Sequence, residues 1–343
     1  FSEPSFKKVL SGSGQRPAEI IMKNNNPFPN SDTNKRYYTY DYHMRKTFGG
    51  KVMKIPLDGG FTCPNIDGTR GRGGCTYCTK QTLPYRGKPL DVQFEEGKAP
   101  LLKKWRREGR REMFIPYFQV FTNTYAPVER LRELYYAALS LPETVGLSIA
   151  TRADCIDGEK AALLREISEK TYLTVELGLQ TVHESTAALI NRGHTYEEFL
   201  AGYEKLRGLN VCVHLINGLP GEDEEMMLES ARSVAALRPH SVKIHMLYLE
   251  RGCRMAEDYL ASPFHILTGE EYISVTVSQL ELFHPDTVIG RLTGDGVAQN
   301  LIAPLWSEKK FCVLNGIDKE FVRRGSFQGE KYFGALPQTP PLS

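Results

Sequence analysis

From about residue 50 to about residue 290, short apolar runs alternate with longer amphipathic ones, and that cadence leaves few folds open. Period-two and continuously apolar stretches predict strands over 52–61, 113–121, 146–156, 173–181, 211–218 and 241–249, with a further one over 288–293. Helical periodicity predicts helices over 92–111, 127–141, 157–170, 184–191, 196–208, 222–237 and 269–283. A strand, a turn and a long helix, repeated, build a parallel sheet with helices outside. Six or seven such units favour an α/β fold of the (β/α) barrel kind, complete or partial, over an open sheet.

Strands buried on both faces should be nearly continuous apolar runs. Five of these are not. Tyr117, Gln119 and Phe121 share one parity of their strand, as do Ser148 and Arg152 of the next. Glu176, Gly178 and Gln180 lie opposite Val175, Leu177 and Leu179. Cys212 and His214 lie opposite Val211 and Val213, and Lys243 and His245 opposite Val242 and Ile244. Arg291 and Thr293 continue the pattern. One such residue is ordinarily a hydrogen-bonded core group or an end-of-strand charge. Together they predict a hydrated lumen lined by one face of every strand, because unpaired polar groups are costly to bury.

Seven cysteines among 343 residues are odd in number and scattered, which is no disulfide framework. Three are clustered: Cys63, Cys75 and Cys78, spaced C-x11-C-x2-C at the end of the first strand. Three thiolates suit three irons of a [4Fe–4S] cluster and leave the fourth iron open. C-x2-C is also a zinc knuckle, but structural zinc needs four ligands, and no second C-x2-C or H-x3-H occurs. Cys155, Cys212, Cys253 and Cys312 have no ligand spacing and read as buried thiols. A net charge of +2 favours no partner strongly. No apolar run is long enough for a transmembrane helix and no signal segment opens the chain, so a reducing cytoplasm and no membrane are expected.

The cysteine loop resembles that of radical S-adenosylmethionine (SAM) enzymes. Further runs sharpen the likeness: Arg36–His43, Gly73-Gly-Cys-Thr-Tyr-Cys78, Tyr117–Pro127, Ala150-Thr-Arg-Ala-Asp154, Val175–Gln180, Gly218-Leu-Pro-Gly-Glu222 and Lys243-Ile-His245. Over about residues 26 to 330 the chain resembles the YhcC/YtqA-like (MnmL-like) radical SAM family, relatives of the Elongator catalytic subunit. The resemblance implies a partial (β/α)6 TIM-type barrel with short N- and C-terminal extensions. It also implies a [4Fe–4S] cluster, SAM, an external one-electron donor such as flavodoxin or ferredoxin, and tRNA as substrate. The YtqA branch is associated with converting 5-carboxymethylaminomethyl to 5-aminomethyl groups on the wobble uridine. The cysteine spacing is longer than the superfamily's common C-x3-C-x2-C, and Thr122-Asn123-Thr124 stands where Gly-Gly-Glu usually holds the SAM amino group.

Under that resemblance Cys63, Cys75 and Cys78 ligate the cluster. Asn123, Arg152, Gln180, Gly218 and Gly221 are expected to contact SAM. Arg152 and Gln180 are placed at its carboxylate or ribose, and the two glycines where backbone approaches adenine. Glu176, His214, Lys243 and His245 are expected to bind substrate or move protons, with Lys243 or Arg291 paired to a substrate carboxylate. The basic run 103–111, with Trp105 free to stack or to pack, is the strongest candidate for RNA contact, against a solvated outer helix. The expected organisation is an extension over 1–25, a segment over 26–50 packing on the barrel, the barrel over 51–295, and a C-terminal extension over 296–343. Met22 reads as the natural start, and the Pro-rich stretch after 333 as disordered. Two alternatives stay open: a radical SAM enzyme acting on a small molecule or protein, and a zinc-containing RNA-binding protein without catalysis.

Overall fold

The computed structural model describes residues 28–79, 86–294 and 296–332. The expectations for Met22 and for the stretch after 333 lie outside them. In chain order the elements are α1 (Tyr40–Phe48), β1 (Met53–Leu57), α2 (Pro64–Asp67), α3 (Leu90–Arg107), β2 (Phe114–Phe118), α4 (Val128–Leu139), β3 (Gly146–Thr151) and α5 (Gly158–Ser168). There follow β4 (Tyr172–Gln180), α6 (Glu184–Leu189), α7 (Tyr196–Lys205), β5 (Asn210–Asn217), α8 (Glu224–Ala236), β6 (Ser241–Met246) and β7 (Leu249–Glu250). The last are α9 (Arg254–Ala261), α10 (Gly269–Leu282), β8 (Val288–Arg291), β9 (Leu301–Ala303) and α11 (Lys310–Arg324).

Seven strands form one parallel sheet in the order β1-β2-β3-β4-β5-β6-β8, a curled partial barrel with its two edges unjoined. The seventh, β8, falls where a further strand is expected over 288–293, beyond the six that the family resemblance implies. β8 pairs with β6, and a register shift between Val242 and Lys243 sets Lys243 opposite Arg291. The sheet's outer face is apolar as the parity required: Val175, Leu177, Leu179, Val213, Val242 and Ile244 are buried under the helices. At about 25 cal/mol per Å² of apolar surface removed from water, this outer layer supplies the main driving force for folding. In a parallel sheet every strand points the same way, so all C-terminal ends open at one mouth.

Several strands are shorter than expected. β3 stops at Thr151, where Ala153–Cys155 forms a single 3-10 turn. β6 stops at Met246, and Leu249–Glu250 leaves the barrel to pair with β9. Four helices lie outside the predicted set: α1, α2, α9 and α11. α1 is held by tertiary contacts, with Thr39 bridging to Ile289 and Tyr38 accepting from the Ile289 N–H at 2.7 Å. α11 buries Val313, Ile317 and Phe321 in the core, so the region expected as an extension closes part of the outer layer.

Candidate active site

Halfway up the lumen stands Glu176, which is 1% exposed. Each of the six strands β1–β6 places one side chain in its cluster. Lys54 (β1) and Ser148 (β3) donate to Oε1, at 2.5 and 3.1 Å. Tyr117 (β2) and His214 (β5) donate to Oε2, at 2.7 and 2.8 Å, and Lys243 (β6) donates there too. Burial opposes ionisation of Glu176, but Lys243, Lys54 and the His214 hydrogen bond outweigh it and hold the carboxyl well below its usual range. Burial, reinforced by the Lys243 charge, lowers His214 to about 4, so the ring is neutral. Its proton then sits on Nε2, facing the carboxylate, and Nδ1 is left as an acceptor.

The two lysines differ. Lys54 is pushed up: burial opposes its charge, and Glu176 prevails. Lys243 is pushed down, because burial and the neighbouring Lys54 charge together exceed the pull of Glu176. Both ammonium groups also lie over the Tyr117 ring, 5.1 and 5.0 Å from its centre. Cys212 completes a carboxylate, thiol and imidazole grouping within 4.8 Å. That grouping is filled by ammonium groups, and burial pushes the Cys212 thiol up to about 11, so it is a proton network rather than a metal centre. His245 lies one strand position nearer the mouth, its ring 5.2 Å from that of His214. Among the described residues no hydrogen bond reaches its side chain, and burial keeps it neutral.

At the mouth, above this layer, the cysteine loop follows β1. Cys63 caps α2, and Ile66 and Asp67 donate back to its carbonyl. The eight residues by which this spacing exceeds C-x3-C form a compact tip. Arg70 and Gly71 N–H groups donate to Pro64, Gly74 N–H to Asn65, and Asp67 bridges to Arg72. The segment between α6 and α7 braces the loop. Thr76 N–H donates to Ile190, Asn191 Nδ2 to the Arg72 and Gly74 carbonyls, and Asn65 Nδ2 to the Asn191 carbonyl. Gly193 has φ +73, and a Cβ there would stand 2.5 Å from Asn65 Oδ1, so the brace needs glycine.

The three thiols fit an iron–sulfur cluster. They are free cysteines, close enough for the charge on one to raise the others. Burial raises Cys75, opposed by Tyr77, the Arg152 charge and Asn65, whose Nδ2 lies 3.7 Å from its sulfur. Burial, with Cys75 and Cys63 adding to it, pushes Cys78 up to about 12. As cluster ligands, Cys63, Cys75 and Cys78 would be held as thiolates by the cationic iron. When bound, a cluster with SAM and one external electron supplies a 5′-deoxyadenosyl radical at this mouth.

The residues expected at SAM sit at strand ends around the same opening. Asn123 is fully buried. Its Nδ2 donates to the Phe118 and Ala150 carbonyls, and its Oδ1 accepts from nothing among the described residues. Gln180 ends β4 in the left-handed region (φ +67), its amide folded over Gly178. Gly218 and Gly221, at φ +86 and +82, make the turn after β5 that side chains would strain. Arg152 is occupied otherwise than expected. Its fork grips Asp154 at 3.0 and 2.9 Å, and it donates to the Arg192 and Gly193 carbonyls. It therefore ties the brace to β3.

Two groups escaped the sequence reading. Lys54 alternates with Met53, Ile55 and Leu57, a parity signal present in β1 but not drawn. Arg192, 1% exposed, donates to the carbonyls of Leu179, Thr181 and His194, and its Nη2 has no hydrogen-bond acceptor among the described residues. The basic run lies away from the mouth. Trp105 is buried and stacked on Phe114, 5.4 Å apart, so it packs and is not open to a base. Residues 103–111 lead directly into β2, at the end of the barrel opposite the mouth.

Comparison with known proteins agrees with this geometry. Residues 66–234 match the Radical SAM superfamily, and residues 239–323 the Radical SAM C-terminal domain. The chain is 47% identical to the protein YtqA of Bacillus subtilis, over 94% of this chain and 100% of that one. It is 33% identical to Protein YhcC of Escherichia coli, over 87% and 95%. A shorter stretch, 38% of this chain and 25% of the other, is 31% identical to the tRNA uridine(34) acetyltransferase of Methanocaldococcus jannaschii. Among solved structures, the archaeal Elp3 of Methanocaldococcus infernus superposes with a TM-score of 0.58 at 18% identity, covering 84% of this chain and 68% of that one. No helix among the described residues is long and apolar enough to cross a membrane. The zinc-binding, non-catalytic alternative gives way: the chain belongs to the YhcC/YtqA-like family of radical SAM enzymes, which work with a [4Fe–4S] cluster and SAM.

Proposed function

We propose that the chain modifies tRNA at the wobble uridine, shortening a 5-carboxymethylaminomethyl side chain to 5-aminomethyl. The observation that carries this reading is the Lys54–Glu176–Lys243 network halfway up a lumen whose mouth holds the three cysteines. A substrate reaching down from the mouth meets His245 first and then Lys243. Lys243 and Arg291, opposite one another across a register shift, suit the carboxylate such a side chain carries. The neutral His245 and His214 suit proton transfer to and from its amine. The tRNA-directed relative, matched over part of its length, supports the substrate class.

In this reading Cys63, Cys75 and Cys78 hold the cluster. Asn123 Oδ1, Gln180, Gly218 and Gly221 receive SAM. The Nη2 of Arg192, without a hydrogen-bond acceptor among the described residues and 3.8 Å from Glu184 Oε2, takes over the carboxylate that Arg152, held by Asp154, does not reach. The test is nucleoside mass spectrometry of tRNA incubated with the reconstituted enzyme, SAM and reductant. Loss of the carboxymethylaminomethyl nucleoside with matching gain of the aminomethyl one is expected. An unchanged nucleoside profile alongside vigorous SAM cleavage points to another substrate.

A further inference from the structure

The tip that lengthens the cysteine loop is not used by cluster ligation. It is anchored on three sides: to Tyr125 through Thr69 Oγ1 at 2.7 Å, to Glu198 through Arg70 at 2.7 Å, and to Asn191 as described above. A stiff, exposed tip beside the cluster invites the question of what it meets. Most cations around the mouth are matched by acids. Arg70 pairs with Glu198 and Asp154, Arg86 with Asp58, Lys88 with Glu96, and Arg254 with Asp258.

Arg72 and Arg251 differ. Both are exposed, and among the described residues neither guanidinium has a hydrogen bond or ion pair. Asp67, bridged to Arg72 through the backbone, accepts with its carboxylate from Thr69 N–H at 3.0 Å and makes no ion pair with Arg72. The two arginines belong to segments joined at the cluster. Arg72 is in the cysteine loop. Arg251 stands just before α9, whose Met255 N–H donates to the Thr76 carbonyl of the same loop at 2.9 Å. Exposed guanidinium groups on a fixed frame are suited to phosphate oxygens, with two parallel N–H donors each.

We propose that Arg72 and Arg251 grip the phosphodiester backbone of the RNA strand whose nucleotide enters the lumen, and that the mouth rather than the basic helix end at 103–111 is the main RNA contact. This rests on the tRNA reading above. It also gives the long cysteine spacing a purpose: the extra residues carry a phosphate contact to the rim of the radical site. Residues Lys103, Lys104 and Arg107 are exposed too, but on the far end of the barrel.

The test uses the reconstituted full chain and bulk tRNA, with affinity measured across a salt series. Arg72→Glu with Arg251→Glu is expected to weaken binding on the order of tenfold and to lower the slope of log affinity against log salt by about one per contact. Arg72→Lys should recover part of the loss. Iron content and melting temperature matching wild type show that the fold is kept. Reversal of Lys103, Lys104 and Arg107 should change neither affinity nor slope appreciably. Unchanged binding in the mouth variant, with the loss appearing in the helix variant, overturns the inference and leaves the tRNA reading intact. Failure of the wild-type protein to bind tRNA overturns that reading and the inference together.

Discussion

Glu176 concentrates the energetics of the site in one carboxylate. Its five donors come from five other strands, so replacing it frustrates them all at once. Glu176→Gln leaves two buried ammonium groups without a counter-charge and is expected to cost about 3–5 kcal/mol of stability. Chemical denaturation measures this, and a loss below about 1 kcal/mol contradicts the hub assignment. The thiols are expected to behave differently. Cys63→Ala should fold with a melting temperature near that of the unreconstituted wild type, yet fail to develop the visible absorption of a cluster. Normal iron content in that variant removes Cys63 from the ligand set. At this scale the sequence was most legible where residues repeat a parity. Tyr117, Ser148, Glu176, His214 and Lys243 were all found by alternation and all meet at one point. The hold of Asp154 on Arg152 was not legible, because it runs around a 3-10 turn that leaves no periodic trace.

The elements show why some segments were readable and others not. The barrel strands were readable because each buries a full apolar face. α1 and α11 are fixed by contacts with distant residues. Gln328 Nε2 donates to the His284 and Thr287 carbonyls, and its Oε1 accepts from Tyr38 N–H. Contacts across such sequence separation leave no local pattern. The packing of α7 offers a test. Gly202 crosses the 3-10 turn so closely that a Cβ would stand 2.1 Å from the Ala153 carbonyl oxygen. Gly202→Ala must push α7 away from β3, and with it the Asp154–Arg152 tie. We expect a cost of about 1–3 kcal/mol and reduced iron loading, read by thermal melting and iron analysis. A neutral effect on both would mean that this crossing does not position the cysteine loop.

For the molecule as a whole, the polar interior couples stability to pH. Burial holds His194 at about 3, His214 and His240 at about 4, and His245 well below its usual value. The unfolded chain takes up protons on these histidines near pH 6.5, while the folded chain does not until far lower pH. Between those values the unfolded state binds more protons, so stability rises with pH and falls on acidification. Each group contributes about 1.4 kcal/mol per pH unit in that window. Glu176, also depressed, adds its loss below its unfolded value. The melting temperature should therefore drop steeply from neutral pH towards pH 5, and a flat profile would show that the lumen histidines titrate normally.

The account's central claim is that a radical generated at the mouth acts on RNA held over the lumen. The most direct measurement is 5′-deoxyadenosine formation by the anaerobically reconstituted protein with SAM and reductant, with and without bulk tRNA. The account predicts cleavage that rises when tRNA is added. Equal cleavage in both conditions would contradict the RNA substrate while leaving the radical SAM chemistry in place.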